Sequence, residues 1–572
     1  MDWRSRSQPV ESPVDQILKN IDLANIQDER ARECIRLLLN LIESQAADLS
    51  KAQTEIAYLR EQLNRRKGDG KPDSSKGNAE PASRSSEKER ADPSGKRPHI
   101  KRSKLDRVHI DREQVLPLDR AGLPADAEFK GYDDVVVQEL IITTDNVKFR
   151  KAKYYSASTG KTYLAPLPPG YSGEFGPNLK SLCILYSHLC NMPQPKIADL
   201  LANMGILVST GQISAWVTGA YSELQQEKEA IVDAGLSSGA WHHMDDTGTR
   251  VDGKNHHCHV ICNPLYAAYF TTPRKDRLTI IDVLRNGRER IFRINEKALD
   301  LLRQFGAAKW VIERVGQLPF NQDWSEQELH RRLADRMPDL SSEAHRRIVE
   351  AAALAAYHAE AGHVRLLVCD DAKQFKLVTD ELALCWIHDG RHYQSLEPPA
   401  QELKAHCVPQ HKESLEAFRK RYWDYYRELR VYQQTPTSER AAQLGERFDE
   451  LFSTVTGYDE LDKRIAATKA DKTYLLMVLE HPEIPLHNNP AELLDARVRV
   501  RKRVVSYGPR SAAGAKTWDA METLLATARK LGVDIFQYIR DRVSGTRQMP
   551  SLAELIEQRA ETANLSPSWT ST

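Results

Sequence analysis

The sequence predicts a multi-domain α+β protein, and two observations support this class. The chain has 572 residues, too many for one hydrophobic core, because cores stop growing at about 250 to 300 residues and longer chains split into domains. The spacing of apolar residues also changes along the chain, from a period near 3.5 within residues 14–66 to a period of two after about residue 239. We therefore expect helical segments and a sheet-based domain in succession.

The composition argues against a disulfide-rich secreted protein and against a membrane protein. The 81 Lys and Arg residues face 80 Asp and Glu residues, for a net charge of +1, so any affinity for nucleic acid must come from local basic patches. Eight cysteines do not suggest a disulfide framework in a chain of this length, and the first residues do not resemble a signal peptide. No window approaches the roughly 20 apolar residues of a membrane span. We expect a cytoplasmic protein without a membrane partner.

Residues 14–66 are predicted to form a coiled-coil helix for oligomerisation. Apolar positions in this segment alternate at spacings of three and four, and two of them are weak. The positions are Ile35, Leu38, Ile42, Gln45, Leu49, Ala52, Ile56, Leu59 and Leu63. A coiled coil needs a second helix, so the pattern predicts a homo-oligomer, at least a dimer. The alternative is one amphipathic helix packed on its own domain.

Two short regions are predicted to follow the coiled coil. Residues 67–104 are rich in Gly, Pro, Ser and charge and nearly lack large apolar residues, which predicts a disordered basic linker. Residues 105–170 contain an alternating apolar and polar stretch with turn signals at Asp145-Asn146 and Gly160. This pattern predicts a small β domain of antiparallel strands.

Residues 175–235 are predicted to form a helix-turn-helix DNA-binding domain. One amphipathic helix is followed by Gly205, a Ser209 cap and a second helix. At the start of the second helix, Thr210, Gln212 and Ser214 are placed to face a DNA groove. The alternative is a helical hairpin that binds nothing, since many such hairpins have no ligand.

A mixed catalytic core is predicted for residues 239–295 and 364–510. Three strands begin near residue 239, and the first contains Asp245 and Asp246. A fourth strand ends at Asp370 and Asp371, and we expect a helix over 374–383 and a short strand near 383–389 after it. Carboxylates on buried strands are costly unless cations or hydrogen bonds compensate them. Two such acids and one Glu suit a pair of divalent ions.

The third acid is expected on a helix that follows Asn488 and Asn489. Glu492 falls in the first turn of this predicted helix, and a run of basic residues without acids begins after Asp495. A carboxylate surrounded by basic residues suits a site that handles phosphodiesters. The alternative is an ordinary capped helix with a solvated basic face.

Several ordered motifs resemble those of the bacterial insertion-sequence transposases of the sixty-six type, which have an RNase H-like catalytic fold. The motifs are the helical block at 176–217, MDDT at 244–247, CWIHDGRHY at 385–393, HNNPAE at 487–492 and the C-terminal block at 506–539. The family's order of coiled coil, linker, small domain, helix-turn-helix and catalytic core also matches. The resemblance therefore covers nearly the whole chain.

The resemblance implies a catalytic and metal-binding triad of Asp245, Asp370 and Glu492 that holds two Mg²⁺ ions, with Mn²⁺ as an alternative metal. Asp371 stays open as the second acid, because adjacent residues of a strand point to opposite faces. DNA contacts are implied for the basic residues Arg499, Arg501, Lys502 and Arg503. Supporting roles are implied for His388, Arg391, Asn488 and Asn489.

The chain departs from the family pattern in two places. No Cys lies between Cys34 and Cys183, so the small domain lacks the family's Cys-x-x-Cys pairs. The interval from Asp245 to Asp370 is longer than expected and contains a predicted helical insertion. The remaining predicted segments are a helical insertion at 296–363, a helical insertion subdomain at 400–480, a C-terminal helical region at 511–545 and a tail at 546–572.

One cluster imitates a zinc site. His256, His257, Cys258, His259 and Cys262 lie close in sequence, and His242 and His243 precede them. The cluster also alternates as a strand, which would send successive side chains to opposite faces. We therefore expect no structural zinc here.

The predicted function is that of a DDE-type DNA transposase, which cleaves element ends and joins the 3′-hydroxyl to target DNA by two-metal phosphoryl transfer. Its expected partners are the double-stranded DNA of the ends and of the target, and the resemblance allows for further element-encoded accessory proteins. Two alternatives stay open. One is a catalytically inactive or domesticated DNA-binding protein, and the other is a nuclease that cleaves without strand transfer.

Overall fold

The computed structural model describes residues 28, 30, 108–118, 124, 127–168, 170–171, 173–219, 221–396, 409–491 and 509–563. The predicted linker and all but two residues of the predicted coiled coil lie outside the described residues. The same is true of five candidate site residues, Glu492, Arg499, Arg501, Lys502 and Arg503. What the sequence indicates for these segments stays a prediction.

The chain divides into two compact units. The described residues of Pro166–Ile197 and Ser209–Thr572 belong to the first, and those of Ser75–Ala165 and Ala198–Val208 to the second. The second unit contains a hairpin of strands β1 (Lys153–Ser156) and β2 (Lys161–Leu164).

The small β domain is more limited than the sequence indicates. Strands were expected from Val135 onward, but residues 135–152 have no regular structure. Val135, Leu140 and Ile141 are 78 to 79% exposed. A two-faced strand is stabilised by burying its apolar face, and among the described residues nothing covers these side chains, so the alternating pattern alone was a poor guide.

The described residues contain seventeen α-helices and seven further strands. The helices are α1 Pro177–His188, α2 Gln194–Asn203, α3 Thr210–Gly219, α4 Tyr221–Ser237, α5 Arg277–Leu284, α6 Glu296–Gln304, α7 Lys309–Val315, α8 Glu326–Arg336, α9 Ser342–His358, α10 Trp386–Gln394, α11 Pro409–Gln434, α12 Ser438–Leu451, α13 Asp459–Ala470, α14 Lys472–Leu475, α15 Ala512–Lys530, α16 Ile535–Ser544 and α17 Leu552–Ala563. The strands are β3 Trp241–Val251, β4 Lys254–Cys262, β5 Ala267–Thr272, β6 Phe292–Arg293, β7 Asp323–Trp324, β8 Leu366–Cys369 and β9 Glu381–Leu384.

A five-stranded mixed sheet in the order β5-β4-β3-β8-β9 forms the centre of the first unit. Strands β3, β4 and β5 are antiparallel neighbours, whereas β8 is parallel to both β3 and β9. A two-residue Asp252-Gly253 turn joins β3 to β4. Both residues have positive φ, +50° and +71°, as the turns that match strand twist require. These strands confirm the expected α/β core.

The two faces of the sheet pack against different helices. Met244, Ile261 and Ala268 belong to the main core cluster, which includes α5 and α9. The opposite face presents Val260 and Tyr269 to a smaller cluster that contains Trp518 of α15 and Ala491. Helix α15 is also hydrogen-bonded to β5 through its own side chains. Because both faces are covered, the central strands are largely buried.

The two segments predicted as helical insertions contain helices, as their apolar spacing indicates. Helices α6 to α9 follow β5 and α5, and the small β6–β7 pair lies among them. Helix α9 carries a buried alanine-rich stretch, and Leu354 and Tyr357 belong to the main core. Helices α11 to α13 fall within 400–480, and α11 and α12 supply aromatic rings around Trp386, including Tyr422 at 5.5 Å. Of the helices in the described residues, none has the length and apolar composition to cross a membrane.

Three further sequence predictions differ from the structure. The short strand expected near 383–389 is β9, which ends at Leu384, and α10 begins at Trp386. Residues 374–380 form turns rather than a helix, because Leu377 adopts φ +70°, a conformation that ends helices. The predicted tail at 546–572 instead contains α17, whose Leu552 and Ile556 are fully buried. A capping box marks the start of this helix. The Ser551 hydroxyl accepts from the Glu554 N–H at 3.1 Å, and the Glu554 carboxylate accepts from the Ser551 N–H at 2.7 Å.

Candidate active site

The first pair of predicted acids lies in the middle of β3. Asp245 is opposite Val260 of β4, and Asp246 is opposite His259. Adjacent strand residues point to opposite faces, so Asp245 shares the face of Val260 and the smaller cluster. Its Oδ1 accepts from the Asp246 N–H at 2.8 Å.

Asp246 is held by two side chains from distant parts of the chain. Lys275 Nζ lies 3.2 Å from its Oδ1, and Gln374 Nε2 donates to its Oδ2 at 2.7 Å. Only 8% of the Asp246 side chain is exposed. Its charge is therefore balanced within the protein, as a buried carboxylate requires.

The second pair of acids follows β8. Asp370 is partly buried, and its Oδ1 accepts from the Ala372 N–H at 3.1 Å. Asp371 is 42% exposed at its side chain and lies 3.7 Å from His392 Nε2. In both pairs the first acid accepts from a backbone N–H and the second lies against a side chain, but Asp371 is far more exposed than Asp246.

The strand register relates Asp245 to Asp370. In the parallel pairing of β3 with β8, His243 is opposite Val368. If this register continued for two residues past the last paired position, Asp245 would be level with Asp370. We therefore expect both acids near the carboxyl end of β8, in the middle of the sheet.

Electrostatics near the carboxyl end of β8 favour a cation. Burial raises the pKa of Asp370, and the nearby carboxylates of Asp246 and Asp371 raise it as well. His388 and the Ala372 N–H act in the opposite direction. A carboxylate that is partly desolvated among other carboxylates is stabilised in its charged form when a metal ion is close.

Asn488 connects the third predicted segment to β3. Its side chain is fully buried. Its Nδ2 donates to the Met244 carbonyl at 2.8 Å, and its Oδ1 lies 3.0 Å from His243 Nδ1. Because burial lowers the pKa of His243 to about 3, the ring is neutral, and its Nδ1–H donates to Asn488.

A ladder of hydrogen bonds extends from Asn488 to β8. The Asn488 N–H donates to Cys385 Sγ at 3.2 Å, and the Cys385 N–H donates to the Cys369 carbonyl at 2.9 Å. Cys369 directly precedes Asp370, and Asn488 is bonded to the residues directly before Asp245. Ala491 packs in the cluster that contains Val260. The residue before Glu492 therefore lies on the face of β3 that carries Asp245.

Helix α10 contains most of the CWIHDGRHY motif. Some of its residues are buried, and His388 lies near Asp370. Trp386 and Asp389 are buried, and Asp389 accepts from Tyr422 Oη at 2.9 Å and pairs with Arg464. A Cβ on Gly390 would lie 2.7 Å from the Trp423 ring, so only glycine fits. His388 is partly buried and close enough to lower the pKa of Asp370.

Other predicted site residues are placed as follows. Arg391 is partly exposed on α10, and Asn489 is buried next to Asn488. Thr210 is exposed at the start of α3, and Gln212 and Ser214 are partly exposed. Ser209 Oγ accepts from the Gln212 N–H at 3.1 Å, which caps α3 as predicted. Their contact with DNA stays a prediction.

The zinc-like cluster is divided between the faces of β4. Cys258 and Cys262 belong to the smaller apolar cluster. His259, which points the other way, lies with Nε2 2.9 Å from Thr272 Oγ1. These residues therefore do not converge on one point.

The sequence did not indicate three residues that contact the site: Lys275, Gln374 and Cys385. Gln374 lies 128 residues from Asp246, and Cys385 lies 103 residues from Asn488. No local pattern signals such contacts, because they depend on the completed sheet. Cys385 at least belonged to a motif that the sequence singled out.

Comparison with known proteins gives two similarities. A family described as "Transposase IS66 family" matches residues 172–290 and 344–517 of this chain. The "Uncharacterized protein y4jO" of Sinorhizobium fredii is 32% identical over 343 residues, which cover 58% of this chain and 100% of that protein. The family match includes the positions of all three predicted acids and is interrupted at 291–343.

Proposed function

This chain belongs to the transposase IS66 family, which matches just over half of its length, and we propose that it is a DDE-type DNA transposase with strand-transfer activity. The enzyme cleaves the DNA strand at an element end and then joins the freed 3′-hydroxyl to target DNA. The family supports a transposase role in general. The chemical mechanism, the site residues and the DNA contacts below are our proposal.

The hydrogen-bond ladder through Asn488 carries this proposal. It ties the segment 488–491 to β3 at Met244 and to β8 at Cys369. We infer that these bonds bring the segment before Glu492 towards the two strand acids near the carboxyl end of β8. Three carboxylates from separate parts of the chain are the ligand set that a two-metal site needs.

We assign metal binding to Asp245, Asp370 and Glu492. The raised pKa of Asp370 fits this role, because burial and neighbouring acids disfavour its charge and a bound cation would offset both. Mg²⁺, with Mn²⁺ as an alternative, prefers such oxygen ligands. When bound, two divalent ions supply Lewis acidity at the attacking and leaving oxygens of phosphoryl transfer.

The residues around the acids position them and the DNA. Asn488 holds the third segment against β3, and Lys275 with Gln374 keeps Asp246 turned to the other face. His388 is a supporting residue near Asp370, and Arg391 of the same helix is assigned a supporting role as well. Arg499, Arg501, Lys502 and Arg503 bind phosphates of the scissile region, since basic side chains supply most affinity for a DNA backbone.

DNA recognition and pairing of ends are assigned to the preceding segments. We propose that α2 and α3 act as a helix-turn-helix, with Thr210, Gln212 and Ser214 facing a groove. The coiled coil of residues 14–66 joins at least two protomers, because two element ends must be brought together. Further element-encoded proteins remain expected partners.

A two-stage assay tests the proposal. Purified full-length protein is incubated with Mg²⁺ and either intact element ends or ends already cut to expose the 3′-hydroxyl, each with a target plasmid. Joined products from both substrates support the proposal. Cleavage without joining would favour a nuclease, and retarded but intact DNA would favour a DNA-binding protein without activity.

Matched variants make the assay specific. Asp370→Asn removes a proposed ligand, whereas Asp371→Asn changes the adjacent acid in the same way. Only the first is expected to abolish both stages. Full activity of Asp370→Asn would overturn the assignment of the second acid.

A further inference from the structure

A cluster of two histidines and one aspartate lies at the end of β8 opposite to Asp370. His358 is the last residue of α9, His363 lies in the loop before β8, and Asp380 directly precedes β9. β8 has four residues, so its two ends are roughly 13 Å apart. The cluster is therefore separate from the proposed catalytic acids.

The three side chains face one another. His358 Nδ1 lies 3.0 Å from Asp380 Oδ1, and His363 Nε2 lies 2.9 Å from Asp380 Oδ2. One ligand atom from each residue falls within 4.8 Å of the other two. Ligands bonded to one zinc ion at about 2.0 to 2.2 Å lie roughly 3.3 Å apart when they are tetrahedral. Small side-chain rotations would therefore suffice to bind an ion.

The remaining ring nitrogens of both histidines bond to backbone carbonyls. His358 Nε2 lies 3.3 Å from the Leu377 carbonyl, and His363 Nδ1 lies 2.9 Å from the Glu360 carbonyl. Carbonyl oxygens only accept, so these nitrogens carry the hydrogen. Asp380 also only accepts, so in the metal-free protein the facing ring nitrogens donate to its carboxylate, and this bond raises the pKa of His363. A metal ion would displace these protons and bind the lone pairs of the same two nitrogens. Backbone carbonyls orient metal-binding histidines in this way.

The surroundings make the cluster rigid and half-enclosed. The Tyr357 ring contacts both histidines, with centroids 6.2 and 5.6 Å away, and its hydroxyl accepts from the Val364 N–H. The side chains of His358 and His363 are 7% and 15% exposed, whereas that of Asp380 is 35% exposed. Arg365 lies 3.8 Å from Asp380 Oδ2 and is half-exposed. Solvent therefore reaches the cluster from the carboxylate side.

We propose that His358, His363 and Asp380 form a binding site for a divalent transition metal, with Zn²⁺ as the preferred ion and water as the fourth ligand. Two imidazole nitrogens and one carboxylate suit Zn²⁺ better than Mg²⁺, which prefers oxygen ligands. A bound ion would connect the end of α9 to β8 and β9. The site is structural, and it stabilises the strand that ends at Asp370.

Zinc titration of the metal-free full-length chain tests this site. The Zn²⁺ affinity is measured by competition with a chromophoric chelator in excess Mg²⁺, for wild type and for the Asp370→Asn variant. One tightly bound Zn²⁺ per chain is expected in both, since the two sites are separate. Loss of the bound Zn²⁺ in Asp370→Asn, or no tight binding in wild type, would overturn the proposal.

Variants of the ligands identify the residues. His363→Gln and Asp380→Asn are expected to weaken Zn²⁺ binding by more than roughly 100-fold. Loss of a residue that only hydrogen-bonds a ligand would weaken binding by about 10- to 100-fold. His345→Gln is the matched control, because His345 also pairs with a histidine ring, 4.7 Å away at His330. Unchanged binding in His363→Gln would show that the cluster is a protonated ion pair instead.

A measurement on wild type keeps the test valid if a variant fails to fold. Zn²⁺ is expected to protect His358 and His363 from diethyl pyrocarbonate, as read by mass spectrometry of peptides. His345 should be modified equally with and without Zn²⁺. Equal modification of His363 in both conditions would contradict the proposal.

Discussion

The two Asp-Asp pairs, one within β3 and one after β8, differ most in their second acids, since the side chain of Asp246 is 8% exposed and that of Asp371 is 42% exposed. Asp246 is engaged by Lys275 and Gln374, and Asp371 lies beside His392. Asp245 and Asp370 accept hydrogen bonds from backbone N–H groups that follow them. Strand alternation therefore separates the faces of Asp245 and Asp246, whereas Asp370 and Asp371, which lie beyond β8, are distinguished by their contacts and exposure.

The largest effect is expected from removing Asp245 or Asp370, the two strand acids proposed to bind metal. Asp245→Asn and Asp370→Asn should each reduce cleavage and joining by at least roughly 100-fold, because a neutral amide is a weak ligand for a hard cation. Gel assays of labelled element ends measure both steps. Thermal unfolding of the same samples should show folded protein, so that a loss of activity cannot be assigned to unfolding.

Asn488→Ala is expected to have the next largest effect. It leaves His243 and the Met244 carbonyl without their partner, which should cost about 2 to 4 kcal/mol in the free energy of unfolding. It should also reduce cleavage by about tenfold at a temperature where the protein is folded, since the third segment loses its anchor.

Asn263→Ala is the matched control for this change. Asn263 is also buried and bonded to Ser238 and to the Leu265 N–H, but it takes no part in the ladder. It should reduce stability without a comparable loss of cleavage by the folded fraction. Equal losses of activity in both variants would contradict a positioning role for Asn488.

Asp246→Asn should have a smaller effect. It tests which member of the Asp245-Asp246 pair is needed for activity. The amide keeps one acceptor, but Lys275 loses its charged partner, so the free energy of unfolding should fall by about 1 kcal/mol. Cleavage should fall by less than about tenfold. A complete loss of activity here, with activity retained in Asp245→Asn, would reverse the assignment of the first acid.

Asp371→Asn should have the smallest effect. The side chain is half-exposed and its contact with His392 is long at 3.7 Å, so the change should alter stability by less than about 0.5 kcal/mol. Cleavage should stay within about threefold of wild type in the same assay. A loss as large as that of Asp370→Asn would show that both acids are needed.

Local patterns predicted the strands of the core well. The period-two segments around Asp245 and the apolar run before Asp370 both form strands, and the Asp252-Gly253 turn follows from its residue types. The adjacent acids could be recognised, but their faces could not be chosen securely. That choice depends on the register of β3 with β8, which pairs residues about 125 positions apart.

The failures have physical causes as well. The helix expected over 374–383 has suitable residues, but Leu377 takes a left-handed conformation and the segment ends in β9. The capping box at Ser551 was a local signal that sequence reasoning overlooked. The His358, His363 and Asp380 cluster could not be found from sequence, because its members are separated by turns that only the fold brings together.

The Asn488 contacts also bear on how the protein is made. The hydrogen bond from Asn488 to His243 joins residues 245 positions apart, and domains form as the chain leaves the ribosome. A nascent chain that stops before residue 488 has both strand acids but lacks the group that docks the third segment. On the proposed mechanism, the three acids can therefore come together only when synthesis is nearly complete.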